Sequence, residues 1–250
     1  YIAALMALFA ILFGTREVDA TEHRPGMMLA IALESLVKII ALIAVGIFAI
    51  GWLDTRDASV VDATRALVES SPPIGFVGQT LLAFAAILCL PRQFHVAVVE
   101  CGDVADIRRA RWMFGAYLVV ICLMVLPIAA AGVSAFGHDG KAVADSFVLA
   151  LPLAGHNTTL AMLAYVGGFS AATGMVIVAS VALATMVSND IVMPLLLRSR
   201  RVDHAGADVA STVLWIRRGA IVLLAAAAWG YYRFSASETA LSAYGLMAFA

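Results

Sequence analysis

Residues 91–95 of this 250-residue chain read Pro-Arg-Gln-Phe-His, set between the apolar runs AAILCL and VAVV. Pro91 lacks an amide donor and breaks the i→i−4 ladder of a helix. Arg92, Gln93 and His95 bring charge and hydrogen-bonding groups to the same turn. Two readings stand. Either Arg92 and His95 mark the end of a membrane span and snorkel to its interface, or the helix is discontinuous there and lines a cavity. Non-helical backbone is tolerated at membrane depth only where it faces protein or such a cavity, and secondary transporters place substrates at broken helices of this kind. A second constellation is Glu34 and Lys38, one helical turn apart in the favourable Glu-before-Lys order. Ionisable groups inside a span are rare and are functional suspects, the alternative being a structural pair that neutralises itself. A third is the hydroxyl set Ser170, Thr173 and Ser180 on an otherwise apolar helix. Such groups bond back to the preceding turn, or, for Ser170 beside carbonyls at a Gly167–Gly168 bend, offer oxygen to a small hard cation.

The elements that must position these groups follow from composition. The chain is 63% hydrophobic and 13% charged, with a mean hydropathy of +0.96, well above soluble domains. Several apolar runs approach the ~20 residues that cross a bilayer. The reading is an all-α, polytopic helical membrane protein, forming one transmembrane domain over 1–250 whose two ends are cut within helices. Breakers divide it into seven segments. They are a truncated span at 1–13, spans at 27–52, from Gly75 onward, at 112–136, 158–187 and 213–232, and a truncated last one. Val60, Val61, Ala63, Ala66 and Leu67 suggest a short amphipathic helix after the second span. Residues 142–155 are too short to cross and read as a half-helix. The 30 residues of 158–187 would extend ~45 Å if straight, so that helix must tilt, bend or protrude. Eleven Arg residues fall on one set of alternate loops and four Lys and Arg on the other, which places loops 14–26, 100–111 and 190–212 in the cytoplasm. The net charge of −1 and the absence of a basic stripe give no support to nucleic-acid binding. Cys89, Cys101 and Cys122 are scattered thiols, and the five histidines (His23, His95, His138, His156, His204) are isolated, so no disulfide frame or metal site is expected.

Three stretches resemble the sodium:solute symporter family. RQFH (92–95) is similar to the GQPH signature of that family's broken substrate-site helix: Gln93 and His95 match, while Arg92 stands for Gly and Phe94 for Pro. RARWMFGAYLVV resembles the Arg-rich link into its next helix. ALPLAGHNTTLAMLAYVGGFSAATG is similar to its LP…G extracellular element and the cation-site helix that follows. The resemblance implies an incomplete inverted-repeat, LeuT-like transporter core of about five full spans plus two truncated ones. It implies substrate binding by Arg92, Gln93, Phe94 and His95, and a cation site at Gly167, Ser170 and Ala171, with Thr173 replacing the hydroxyl that Ala171 lacks. Na+ or H+ is the implied coupling ion, and no other cofactor is implied. TEHRPGMMLAIALESLVKIIALIAVG, LPRQFHVAVVE and ATGMVIVASVALATMVSND look more specifically like a subfamily in which the symporter-like domain is the membrane part of bacterial hybrid sensor histidine kinases. That implies an amino acid such as histidine as solute, with Arg92 suited to its carboxylate. It also implies the bacterial inner membrane as location and a kinase domain in the same full-length chain, although no kinase motif lies within these residues. The rival from another class is an intramembrane serine protease built on GFSA (168–171), which requires a histidine within hydrogen-bond reach of Ser170.

Overall fold

A computed structural model of the chain describes residues 2–14, 25–56, 59–69, 73–99, 101–137, 144–198 and 208–234. Among the described residues every regular element is helical. In order these are α1 (Ile2–Gly14), α2 (Pro25–Asp54), α3 (Val60–Glu69), α4 (Pro73–Cys89), α5 (Pro91–Phe94), a π-helical segment π1 (His95–Val99), α6 (Val104–Phe136), a 3-10 turn (Ala144–Ser146), α7 (Phe147–Ala154), α8 (Thr158–Met186), a second π-helical segment π2 (Val187–Val192), α9 (Met193–Arg198) and α10 (Asp208–Phe234). Four helical stretches, Met28–Asp54, Ala105–Phe136, Thr158–Leu195 and Ser211–Phe234, are long and apolar enough to cross a membrane.

The surface of α2 shows why water is the wrong solvent. Ala41, Val45, Ala49 and Leu53, four residues apart, form a buried stripe, yet Leu29, Leu33, Leu36, Ile40 and Ile47 form an equally apolar stripe that is more than half exposed. A helix apolar on every face is a buried or membrane-spanning helix.

The chain divides into two compact units, one of Tyr1–Ile31, Leu88–Gly102 and Ala172–Ala236, the other of Ala32–Ile87, Asp103–Ala171 and Ser237–Ala250. In the first, α1 packs on α10, and Ala10, Ala184 and Ile221 form a small buried cluster. In the second, the α2 stripe meets Ile128, Ala130 and Ala131 of α6, Phe147 and Leu151 of α7, and Ala164 of α8. Small residues let these backbones approach: a methyl added to Gly167 would sit 2.6 Å from the Ala41 Cβ. The helix runs uninterrupted through Gly167 and Gly168; Gly167 serves the close approach, while a Cβ at Gly168 would meet open space.

Three differences from the sequence reading have local causes. The fourth span starts at Val104, eight residues earlier than expected, because Asp103 caps it by accepting the Ala105 N–H at 2.9 Å and the Ile, Arg and Ala residues that follow suit a helix. Residues 104–111, expected as a loop, are therefore its first two turns. The segment from Gly75 is a 17-residue helix, α4, that begins at Pro73 and stops at Cys89. Residues 190–198, expected as the start of a loop, extend α8 as π2 and α9. The amphipathic helix and the half-helix both form, as α3, which packs on α6, and as α7.

The joint from α7 to α8 has an unusual cap. His156 N–H bonds the Leu153 carbonyl at 3.0 Å and Asn157 N–H the Pro152 carbonyl at 2.9 Å, the paired bonds of a Schellman motif. The residue in the left-handed position is His156, with φ 54°, and not the adjacent Gly155. Gly155 is needed for space, since a Cβ there would lie 2.5 Å from the Phe48 ring. Asn157 then caps α8 by accepting the Leu160 N–H at 3.1 Å. A left-handed non-glycine residue costs ~1–2 kcal/mol, partly offset in glycine by its greater unfolded freedom. His156→Gly is therefore expected to stabilise the protein by about 0.5–1 kcal/mol, read as a raised thermal midpoint in detergent; a lowered midpoint would show that the imidazole itself holds the joint.

Candidate functional site

The discontinuous reading of residues 88–100 matches the backbone. Leu90 is non-helical between α4 and α5, and its carbonyl accepts both the Gln93 and the Phe94 N–H, at 3.0 and 3.1 Å. Pro91 thus opens a new turn, where its missing N–H costs nothing. Next comes His-Val-Ala-Val-Val, whose β-branched residues weaken an α-helix, and it widens into π1. On the other side of the unit, Val-Ser-Asn-Asp-Ile-Val does the same. Ser, Asn and Asp compete for backbone hydrogen bonds and β-branched neighbours add crowding. Here the Met193 N–H reaches five residues back to the Ser188 carbonyl, the π pattern.

These two segments line one cavity of about 400 Å³, bounded by Cys89, Phe94, His95 and Val99 on one side and Ala182, Thr185, Met186, Asn189 and Asp190 on the other. Its polar groups are an imidazole, a carboxylate, a carboxamide and a hydroxyl on otherwise apolar walls, the make-up of small-molecule sites. Thr185 donates its hydroxyl proton to the Val181 carbonyl at 2.8 Å, leaving its oxygen lone pairs as acceptors. Ser188, beside the cavity wall, is 1% exposed and its hydroxyl has no hydrogen-bond partner among the described residues. π-Helical turns are rare and concentrate at functional sites. Two of them on one cavity single it out.

Of the residues expected to bind substrate, Phe94 and His95 line this cavity. Gln93 is half-buried on α5 but is not among its lining, and the Arg92 side chain lies outside the described residues. Asn189, Asp190 and Thr185 were missed as site residues. Arg217, counted among the cytoplasmic charges although it falls inside the expected span 213–232, lies on α10 at 2% exposure, in the buried stripe Val213, Arg217, Ile221, and α10 packs against π2.

A second cavity, of about 490 Å³, lies within the other unit. Lys38, Ala41 and Leu42 of α2, Asp145 and Ser146 of the 3-10 turn, Val148 and Leu149 of α7, and the α8 residues Ala164, Tyr165, Gly167, Gly168, Phe169 and Ala171 line it. Lys38 Nζ stands 4.0 Å from Glu34 Oε1, with the lysine side chain 33% and the glutamate 13% exposed. Glu34 also interacts electrostatically with Tyr117 of α6, whose buried hydroxyl has no hydrogen-bond partner among the described residues. Of the expected cation ligands, Gly167 lines this cavity, while Ser170 and Thr173, half-buried on α8, line neither. Among the described residues no group of three or more His, Cys, Asp or Glu is placed to hold a metal; His23, His138 and His204 lie outside them.

None of the protein-family models, curated proteins or solved structures compared with this chain matches it.

Proposed function

We propose that this chain belongs to the solute-handling core of a membrane transporter, or of a sensor built on one, with the solute held in the first cavity. The observation that carries the reading is the pair of π-helical segments facing one cavity with a few polar groups on apolar walls, one segment following the break at Leu90. Irregular backbone at membrane depth is sustainable only around such a cavity, and transporters use it to expose carbonyls and side chains to solute. Asp190 supplies the charge for an ammonium group, Asn189 and Thr185 supply hydrogen bonds, and Phe94 supplies an apolar face. An amino acid such as histidine meets all three. The resemblance of RQFH to a symporter signature supports the same class, with Na+ or H+ as coupling ion, an inverted-repeat core, the bacterial inner membrane as location and a histidine kinase as partner domain in the sensor case.

The protease reading is weaker. His156 stands in the joint ahead of α8, and the helix from Thr158 to Ser170 alone rises ~18 Å at 1.5 Å per residue, far beyond hydrogen-bond reach. His204 lies outside the described residues.

The test is uptake of radiolabelled histidine into proteoliposomes under imposed Na+ or H+ gradients. Asp190→Asn is expected to lower uptake at least about tenfold, the scale of one lost charge-assisted hydrogen bond, and Gln93→Ala by less. Gradient-driven uptake that both variants retain in full would sink the assignment. Saturable binding without uptake would identify a sensor.

A further inference from the structure

We propose that the second cavity is a separate binding site for a zwitterion carrying a flat apolar group, an aromatic amino acid being the class that fits, with Lys38 facing its carboxylate and Asp145 its ammonium. This inference stands apart from the solute site assigned above, since no residue is shared between the two cavities.

Lys38 supplies the positive charge of this cavity. Its ammonium carries three donors, and the contact to Glu34, at 4.0 Å, is at the outer limit of an ion pair and engages one carboxylate oxygen. Donor capacity therefore remains for the cavity that Lys38 lines. The opposite charge on that wall comes from Asp145, on the 3-10 turn ahead of α7, with the Ser146 hydroxyl beside it. A cavity whose lining carries one cation and one anion, from different elements, is complementary to a ligand that carries both, and poorly suited to a bare metal cation, which the Lys38 charge would repel.

The rest of the wall selects the ligand's body. Tyr165 and Phe169, one helical turn apart, stack with ring centroids 6.2 Å apart and planes at 15°, and a third aromatic ring can extend such a pair by offset or edge-to-face packing. Between them on α8, Gly167 and Gly168 carry no side chains, and at Gly168 there is open space where a Cβ would stand. About 490 Å³ is within the range of small-molecule sites.

The experiment is equilibrium binding of tritiated L-phenylalanine to the whole protein in nanodiscs. L-Phenylalaninamide, which lacks the carboxylate, and 3-phenylpropionate, which lacks the ammonium, serve as competitors. Saturable binding is expected, with each competitor at least about tenfold weaker than phenylalanine. Lys38→Met and Asp145→Asn should each weaken binding by a similar factor. Lys38→Arg, which keeps the charge, should stay within about threefold of the parent, and a monodisperse gel-filtration profile checks that each variant is folded. The proposal is overturned by absence of saturable binding, by an amide that competes as well as the amino acid, or by Lys38→Met and Asp145→Asn binding normally. It is also overturned if Asp190→Asn abolishes binding while Lys38→Met does not. That result would move the ligand to the first cavity and leave the transporter reading intact.

Discussion

Deleting Ser188 is expected to leave the protein folded, with a thermal midpoint equal to or above the parent's, while cutting solute uptake by more than about tenfold. A π-helical turn is one residue too many for an α-helix, accommodated so that the flanking turns keep their facing. Removing one residue from Val187–Val192 lets the i→i−4 ladder close, and the packing of α10 against this stretch is retained. Ser188 is the residue to remove, because its hydroxyl is buried with no hydrogen-bond partner among the described residues, a burden of ~1–3 kcal/mol. Asn189 and Asp190 then rotate by up to ~100°, the turn per residue of an α-helix, and leave the cavity wall. A deletion that keeps full uptake would mean that the solute does not touch this segment. A deletion that prevents folding would mean that the π turn serves packing and not the cavity.

Gly132→Ala should be among the most destabilising single-atom additions in the chain. The added methyl would overlap the ring of Phe147, and that ring cannot retreat: it is 7% exposed and stacked on Phe136 with centroids 5.8 Å apart. Overpacking of this sort costs ~1–3 kcal/mol, and the upper end applies because three ring atoms are involved. The control is Gly46→Ala, where the nearest atom is the Met124 Sδ at 2.7 Å. A methionine has rotamers to spare and adapts, so the expected loss there is under ~1 kcal/mol. Thermal unfolding in detergent should rank Gly132→Ala well below Gly46→Ala. Phe147→Leu added to Gly132→Ala should recover part of the difference. Equal midpoints for the two single variants would refute the claim that the α6–α7 contact is rigid.

The helical class of the fold and several of its joints were legible from residues alone. The long apolar α2, the short α7 and the amphipathic α3 all follow from hydropathy, periodicity and length. Pro91 announced a break, and its position after an apolar run announced where. What sequence reading underweighted was the Val-Ser-Asn-Asp run at 187–190. The expected span ends at 187 and the expected loop begins at 190, although Ser, Asn and Asp next to an apolar helix are the residues that pull a backbone out of α geometry without ending it. Arg217 was legible in a different way. Counted with Arg218 as one loop charge among many, it shares a face with Val213 and Ile221 at four-residue spacing, and that spacing makes it a buried residue of a helix. The cavities could not be read at all, because each joins stretches more than eighty positions apart, and single-sequence periodicity reports only neighbours within a turn or two.

Helix α6 has a length that ties the protein to its surroundings. Its first two turns carry Arg108, Arg109 and Arg111, all exposed, and Trp112 follows at 73% exposure with the Arg111 guanidinium 5.8 Å from the centre of its indole. Arginine and tryptophan together settle at the headgroup layer. From Trp112 to Phe136 there remain ~37 Å of helix to fit a hydrocarbon layer ~30 Å thick, so α6 leans or overshoots. Either way its far end, where Gly132 meets Phe147, shifts with the thickness of the bilayer, as the tip of a lever moves when its pivot is raised. Lipids of different chain length should therefore change the tilt of α6, and α7, held to it where Gly132 meets Phe147, should move with it without any ligand bound.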